Sequence, residues 1–336
     1  CELTSMRTTL PASDLLTAAQ IARVRERSNV RGIWLVAHAW ITIVAAAALF
    51  VWMPNPATFL LAVIVIGSRQ LGLLILMHDG AHGLLCRNRR LNDLLSQLCC
   101  ALPTFADTFS YRRYHLKHHA RTLHDDDPDI ILTGHYPITR ASLRRKLWRD
   151  LSGRTGISQR RAQFAAAAGR KGEPVALRLR KFVANLGPHL LVNVLLFAIA
   201  IAAGHWSVYP LLWVLPLLTW QQLVLRLRNI AEHAVVRHRD DPFGNARTTR
   251  ANVIERLFVA PYWVNYHLEH HLMMWVPCYR LPLLRRFLLA NGYGERMLCT
   301  NGYLDVLAQV TVDTQDEAGG GRRERAVGTF SDGFGV

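Results

Sequence analysis

Four long apolar runs constrain this chain more than any other feature of its sequence. The first, Ile33 to Met53, carries no charged residue and stops at Pro54-Asn55-Pro56. The second runs from about Ala57 to Met77 and holds Arg69 and Gln70. The third, Pro188 to Ala203, falls slightly short of the roughly 20 residues a span needs and extends back to Asn185. The fourth runs from Val208 to Leu225, reaching at most Arg228. Backbone polar groups must be satisfied internally in lipid, so such runs are helices. The connections Pro54–Pro56 and Gly204–Ser207 allow only tight turns, so the helices pair as two hairpins. The expected fold class is an all-α integral membrane protein: four transmembrane helices in two hairpins, capped by a cytoplasmic helical domain. Residues 1–31 form an N-terminal arm, 32–314 the membrane domain and 315–336 a disordered tail rich in Gly, Arg and Glu. Within the domain the spans are about 33–53, 57–77, 185–203 and 208–228, with 78–184 and 229–314 cytoplasmic.

Charge gives the orientation. The chain has 40 Lys+Arg against 24 Asp+Glu, a formal charge of +16, yet its mean hydropathy is +0.11. Apolar and basic residues are therefore segregated, and 51% hydrophobic content excludes disorder for most of the chain. Neither short connection carries Lys or Arg, whereas Tyr111–Lys181 holds 17 Lys+Arg and six Asp+Glu. The positive-inside rule places that loop and both termini in the cytoplasm. Its charge also suits anionic lipid head groups. No groove-reading motif accompanies it, which excludes nucleic acid as a partner. Residues 1–31 lack the apolar core of a secretory leader, and Met6 is a candidate start. Six cysteines without a CxxC pair read as free thiols in a reducing compartment. The interrupted apolar stretch Leu91–Phe109 reads as an interfacial helix or one that dips in and returns.

Fifteen histidines are the second feature that needs a cause. His78 and His82 lie at the cytoplasmic end of the second span. His115, His118 and His119 follow the interfacial stretch. Asn229 and His233 follow the fourth span, and His267, His270 and His271 form a third box. Helical positions i, i+3 and i+4 share a face, so each box offers two or three imidazoles to one point. One HxxxH pair is weak evidence of a metal, but nine clustered histidines are strong evidence. They exceed the three or four ligands of a tetrahedral zinc and suit two metals of higher coordination number. Asn229, one turn before His233, is placed to complete the set directly or through a water. Of the others, His38 lies within the first span with a hydrogen-bonding neighbour, His189 and His205 at membrane edges, and His124, His135 and His238 in loops.

These residues resemble the integral-membrane fatty acid desaturase and hydroxylase family, in the bacterial acyl-chain desaturase form. The resemblance rests on His78–His82, His115–His119, Asn229-x-x-x-His233 and His267–His271 in that order, and on Val264–Pro282; it covers roughly Ile33 to Leu289. It implies a non-haem di-iron centre, with two Fe ions held by the nine histidines and Asn229 as a tenth, water-mediated partner. It also implies a lipid acyl substrate, O2 and a separate ferredoxin- or cytochrome-type electron donor, since no fused haem or iron–sulfur domain is visible. The setting it implies is a bacterial inner membrane. His267 stands where front-end desaturases often have Gln, which argues against that subclass. The short first box fits desaturases of lipid-linked chains and also carotenoid-modifying relatives.

The chemistry agrees with that resemblance. A methylene C–H bond offers no acid or base handle, so cofactor-level oxygen chemistry is required. Loss of two hydrogens gives a double bond, and oxygen insertion gives a hydroxylase or ketolase product. Metal-bound histidines usually donate their second ring N–H to a carboxylate or carbonyl. Asp79, Glu232 and Glu269 sit within the boxes for that role, with Glu269 foremost, and Asp125, Asp126, Asp127 and Asp129 follow the second box. Arg69 is costly in a membrane, and Asp107 would pair with it if the interfacial stretch dips inward. A His-rich transporter would carry its ligands at the bilayer midplane rather than at span ends, and a zinc hydrolase would leave most of the nine histidines idle.

Overall fold

A computed structural model describes residues 10–236 and 240–314. Cys1, Met6, His238 and the tail 315–336 lie outside the described residues. Helix α1, Asn29–Trp52, starts where the Ser28 hydroxyl accepts from the Arg31 amide. Helix α2, Pro56–His82, starts at Asn55, whose side chain accepts from the Ala57 and Thr58 amides, with Pro56 at its first position. It ends at Gly83, whose φ of 75° is a conformation that glycine adopts without strain. The apolar run stops at Met77, but the helix continues five residues and takes the whole first box with it.

Three short elements follow. Residues Arg89–Leu94 form a short helix, Leu95–Ala101 a π-helical turn and Leu102–Thr104 a 3-10 turn. Trp40 of α1 donates to the Cys99 carbonyl at 2.9 Å, and the Asn193 amide reaches the Leu102 carbonyl at 3.3 Å. These bonds pack the stretch against the helices of the first and third spans. Gly80 lets it approach α2 as well, because a Cβ there would lie 2.2 Å from the Cβ of Ser96.

Helix α3, Thr108–Arg121, carries the second box and is capped by Asp107. Helices α4, Arg140–Leu151, and α5, Arg154–Ala167, build the cap. Helix α6, Val175–Ala202, is the third span. It begins ten residues before the expected Asn185, because Arg178, Arg180 and Lys181 in its early turns fall outside the apolar run while the helix continues. The fourth span, Tyr209–His233, is not one regular helix. A π-helical turn, Tyr209–Val214, and a short helical turn precede a break at Thr219, and α7, Trp220–His233, follows. Helix α7 passes the expected end and brings His233 into register. Helices α8, Val253–Phe258, and α9, His267–Leu272, complete the site-bearing elements.

The fold is thus all-helical with four spans in two hairpins, and among the described residues strand is limited to two short parallel pairs. Helix α2 is central, with 61% of its most apolar stretch buried against 17–39% for the other three. The five described cysteines form no disulfide. Asp150, fully buried at the end of α4, pairs with Arg226 of α7 and accepts from the Thr155 hydroxyl at 2.6 Å, tying the cap to the fourth span.

Arg69 does not pair with Asp107. Its guanidinium donates to the Leu257 carbonyl and lies 5.6 Å over the Tyr262 ring. Asp107 is spent on the Gln97 amide and the Ser110 N–H. It caps α3 near the boxes, whereas Arg69 stands thirteen residues, about 20 Å, from the box end of α2. His38 lies 3.0 Å from the Tyr262 hydroxyl, the neighbour its position called for.

Candidate metal centre

Four helices deliver the histidines, and helical phase sorts them. Successive residues turn by about 100°, so on α3 His118 lies about 60° to one side of His115 and His119 about 40° to the other, and the two diverge. The same holds on α9, where His267 and His271 share a side and His270 diverges. The result is two groups. His78 and His82 of α2 join His115, His119 and His270. His118 joins His233 of α7, His267 and His271. In each group one nitrogen per ring can be chosen so that all lie within 4.8 Å of one another. The two HxxHH boxes therefore play opposite parts: each sends its i, i+4 pair to one group and its middle histidine to the other. Asn229 stands on α7 one turn before His233. Its side-chain oxygen accepts from Arg228 at 3.3 Å, and it lines a cavity of about 20 Å³ beside the second group. That volume is room for about one water.

The proton positions show what the groups lack. His118 Nδ1 lies 2.8 Å from Asp127 Oδ1, His233 Nδ1 lies 3.1 Å from the Asn245 carbonyl oxygen, and His267 Nδ1 lies 3.3 Å from Glu232 Oε1. Carboxylate and carbonyl oxygens only accept, so Nδ1 carries the proton on His118 and His233, and in their neutral rings Nε2 is left bare. Yet His118 Nε2 lies 3.2 Å from His233 Nε2, and His267 Nε2 lies 2.8 Å from it. Lone pairs turned on one another repel unless a cation stands among them. His233 Nε2 has a single lone pair, so a proton on His118 or on His267 Nε2 relieves one of the two contacts, and a metal ion relieves both. In the first group, His119 Nε2 is 2.9 Å from His115 Nε2 and 3.0 Å from His270 Nε2. Metal–imidazole bonds of about 2.1 Å at right angles place neighbouring nitrogens about 3.0 Å apart. His78 Nε2, His82 Nε2 and His271 Nε2 are buried without a hydrogen-bond partner. The donor sets therefore fit a metal in each group, and all-imidazole ligation suits Fe, Zn, Cu or Ni.

Burial dominates the electrostatics. Burial first, then the neighbouring imidazoles, push His115, His119, His267, His270 and His271 below the usual histidine range, which keeps their lone pairs free at neutral pH. His118 runs the other way. Burial opposes its charge, but the Asp127 hydrogen bond and the Asp129 charge outweigh that and raise its pKa.

The carboxylates divide differently from expectation. Glu232 lies beside His267 and is paired with Arg228. Asp79 reaches no histidine and accepts instead from the Cys278 N–H at 2.9 Å. Glu269 also turns away, bonded to the Thr248 hydroxyl and, at 2.7 Å, to Arg285. Both follow from phase: Asp79 is one residue from His78 and Glu269 one from His270, so each points off the histidine face. From the run after the second box, Asp127 holds His118, with Asp129 at 3.5 Å from the same nitrogen. His124 lies outside both groups. Sequence reasoning did not single out Tyr111, which stacks on His115 at 5.0 Å with its hydroxyl 3.3 Å from Nδ1, or Arg228 and Asn245. Tyr111 stands at i−4 from His115, a spacing that marks it.

Comparison with known proteins agrees with this geometry. The sequence model of the family described as "Fatty acid desaturase" matches residues 51–300, a range that contains all nine histidines. The dihydrorhizobitoxine desaturase of Bradyrhizobium elkanii is 26% identical over 290 residues, covering 82% of this chain and 80% of that protein. The zeaxanthin 4-ketolase of Chlamydomonas reinhardtii is 34% identical over 116 residues, 33% of this chain and 25% of the ketolase. The beta-carotene 4-ketolase 3 of Haematococcus lacustris is 41% identical over 69 residues, 20% of this chain and 22% of its own. A match over well more than half of the chain makes it a member of the fatty acid desaturase family of oxidoreductases.

Proposed function

We propose that the protein introduces a double bond into a lipid acyl chain, using two iron ions held by the five-histidine and four-histidine groups. The observation that carries this reading is the pair of convergent sets of bare ring nitrogens. The overall reaction is –CH2–CH2– + O2 + 2e⁻ + 2H⁺ → –CH=CH– + 2H2O, with the electrons supplied by a separate ferredoxin- or cytochrome-type protein. Bound iron supplies the oxygen chemistry that an unactivated C–H bond requires. The protein's own part is preparation. Asp127 and the Asn245 carbonyl hold the Nδ1 protons of His118 and His233, which fixes each ring with Nε2 toward the centre, and Glu232 lies 3.3 Å from His267 Nδ1. Arg228 balances the charge of buried Glu232. Asn229 faces the small cavity, where a water would link it to the second group. We place residues 32–314 in one membrane domain of a bacterial inner membrane, with both termini on the cytoplasmic side as the charge distribution predicts.

A second reading, hydroxylation or ketone formation on a lipid or carotenoid, draws support from the two ketolase relatives. Mass spectrometry of total lipids from a bacterial host expressing the protein separates the two. A new unsaturated chain, absent from a His270→Ala, His271→Ala variant expressed to the same level, supports the desaturase. A new hydroxy or keto product replaces it with the second reading. Turnover by the double variant would refute the histidine assignment, as would purified protein without iron.

A further inference from the structure

Arg69 is a buried cation in a membrane span with no carboxylate partner among the described residues. What it bonds fixes the position of a segment far along the chain. Its guanidinium donates to the Leu257 carbonyl, and the hydroxyl of Ser68 shares its proton between the Phe258 and Ile64 carbonyls, each at 2.8 Å. The C-terminal end of α8 is thereby fastened to residues 68 and 69 of α2. Arg69 stands thirteen residues from both Pro56 and His82, at the midpoint of a 27-residue helix. That helix is about 40 Å long, and the hydrocarbon layer is about 30 Å thick. Wherever the layer is laid along α2, the midpoint falls at least about 10 Å inside it. The first span agrees. His38, which meets Tyr262 beside Arg69, is flanked along α1 by exposed Ile33, Trp34, Ile41 and Val44. Helix α8 is short and leaves its own apolar side open: Val253 is 72% exposed, Ile254 69% and Leu257 52%.

We propose that residues 252–263 dip into the bilayer from the histidine side and return. The open side of α8 is covered by the acyl chains of that leaflet. A second observation supports lipid rather than water. The last carbonyls of a helix have no partner within it, and water normally serves them. In lipid they must be served by protein. Here Leu257 and Phe258 are served by Arg69 and Ser68, while Asn252 and Glu255 close the other end with a reciprocal pair of hydrogen bonds. Arg69 is thus the donor that lets backbone end at this depth. Leu257 is the deepest of the three apolar residues. Val253 is the shallowest, with Asn252 and the long Arg256 side chain toward the head groups.

The full chain, with native cysteines replaced, reconstituted in phosphatidylcholine nanodiscs, tests this. A charged, membrane-impermeant thiol reagent is expected to modify Lys171→Cys, in an exposed loop, at least tenfold faster than Leu257→Cys, with Ile254→Cys between them. A spin label at Leu257→Cys is expected to be relaxed more by O2 than by a water-soluble nickel chelate. Adding Arg69→Met is expected to speed reagent access to Leu257→Cys, and Arg69→Lys to do so less. Equal labelling of Leu257→Cys and Lys171→Cys would put α8 in water and overturn the proposal. A label shielded from both relaxants, or cross-linking of two copies through this cysteine, would put protein on the face and overturn it equally.

Discussion

Asp127 is the residue whose replacement separates the two halves of the centre. It is buried, 3% exposed, and both oxygens are occupied. Oδ1 accepts from His118 Nδ1 at 2.8 Å and from the Asp129 N–H at 2.9 Å, and Oδ2 accepts from the Leu123 N–H at 2.8 Å. Asparagine fills the same space but has one acceptor. If that oxygen stays with His118, the new NH2 faces the Leu123 N–H, donor against donor. A hydrogen bond to a charged group contributes about 1.5–3 kcal/mol, and an unsatisfied buried donor costs a similar amount. Loss of a residue that orients a metal-bound histidine weakens metal binding by about 10–100-fold, which is about 1.4–2.7 kcal/mol. Asp127 touches His118 and no member of the five-histidine group among the described contacts. Purified Asp127→Asn protein, exposed to an iron chelator and sampled for iron per chain, is therefore expected to release half of its iron at least tenfold faster than wild type. The other half should leave at the wild-type rate. Asp125→Asn, at an exposed position, should change neither phase. Unchanged release from Asp127→Asn, or accelerated release of both halves together, would refute the reasoning.

Acid should destabilise the metal-free protein: His115, His119, His267, His270 and His271 have lowered folded pKa values, so below about pH 6.5 the unfolded chain binds protons that these five refuse. His118 and Glu269, both raised, favour the folded state in acid and lose that contribution as pH rises through their folded pKa values, but they stand against those five and His135, which burial lowers to about 4; a thermal midpoint that failed to fall between pH 7 and pH 5 would contradict this balance. Asp150→Ala leaves Arg226 without its buried partner, and a loss of about 3–5 kcal/mol is expected, seen as a large drop in thermal midpoint in detergent, whereas exposed Asp313→Ala should cost under about 1 kcal/mol. Gly80→Ala would bring a methyl within 2.2 Å of Ser96, so the Leu95–Ala101 segment must shift at a cost of about 1–3 kcal/mol; adding Ser96→Gly should restore stability, and failure to do so would refute close packing as the cause.

The spans and boxes were legible in the sequence because hydropathy and histidine spacing are local. The division of ligands was half legible. Helical phase separates His118 from His119 and His270 from His271, but which partner each meets depends on how α2, α3, α7 and α9 converge. Glu269 and Asp79 share the boxes yet face away, while Asp127, nine residues beyond His118, turns back to it through a turn in which Leu123 has φ 63°. The early start of α6 was hidden because its first turns are charged and a hydropathy window stops where charge begins, although a helix need not. The break at Thr219 has no glycine to announce it. The partner of Arg69 was beyond reach for a different reason: it is a backbone carbonyl 188 residues away, and a carbonyl carries no side-chain signature.

Neither histidine group is built from one hairpin, and this orders events during synthesis. The five-histidine group needs α2, α3 and α9, and the four-histidine group needs α3, α7 and α9. Both wait on α9, which emerges after all four spans. The five-histidine group cannot be complete until His270 has been made, nor the four-histidine group until His271, and all four spans precede both in the chain. On the function proposed above, metal capture is then the closing event of biogenesis. A chain truncated before the third box would insert as a scaffold that can complete neither group.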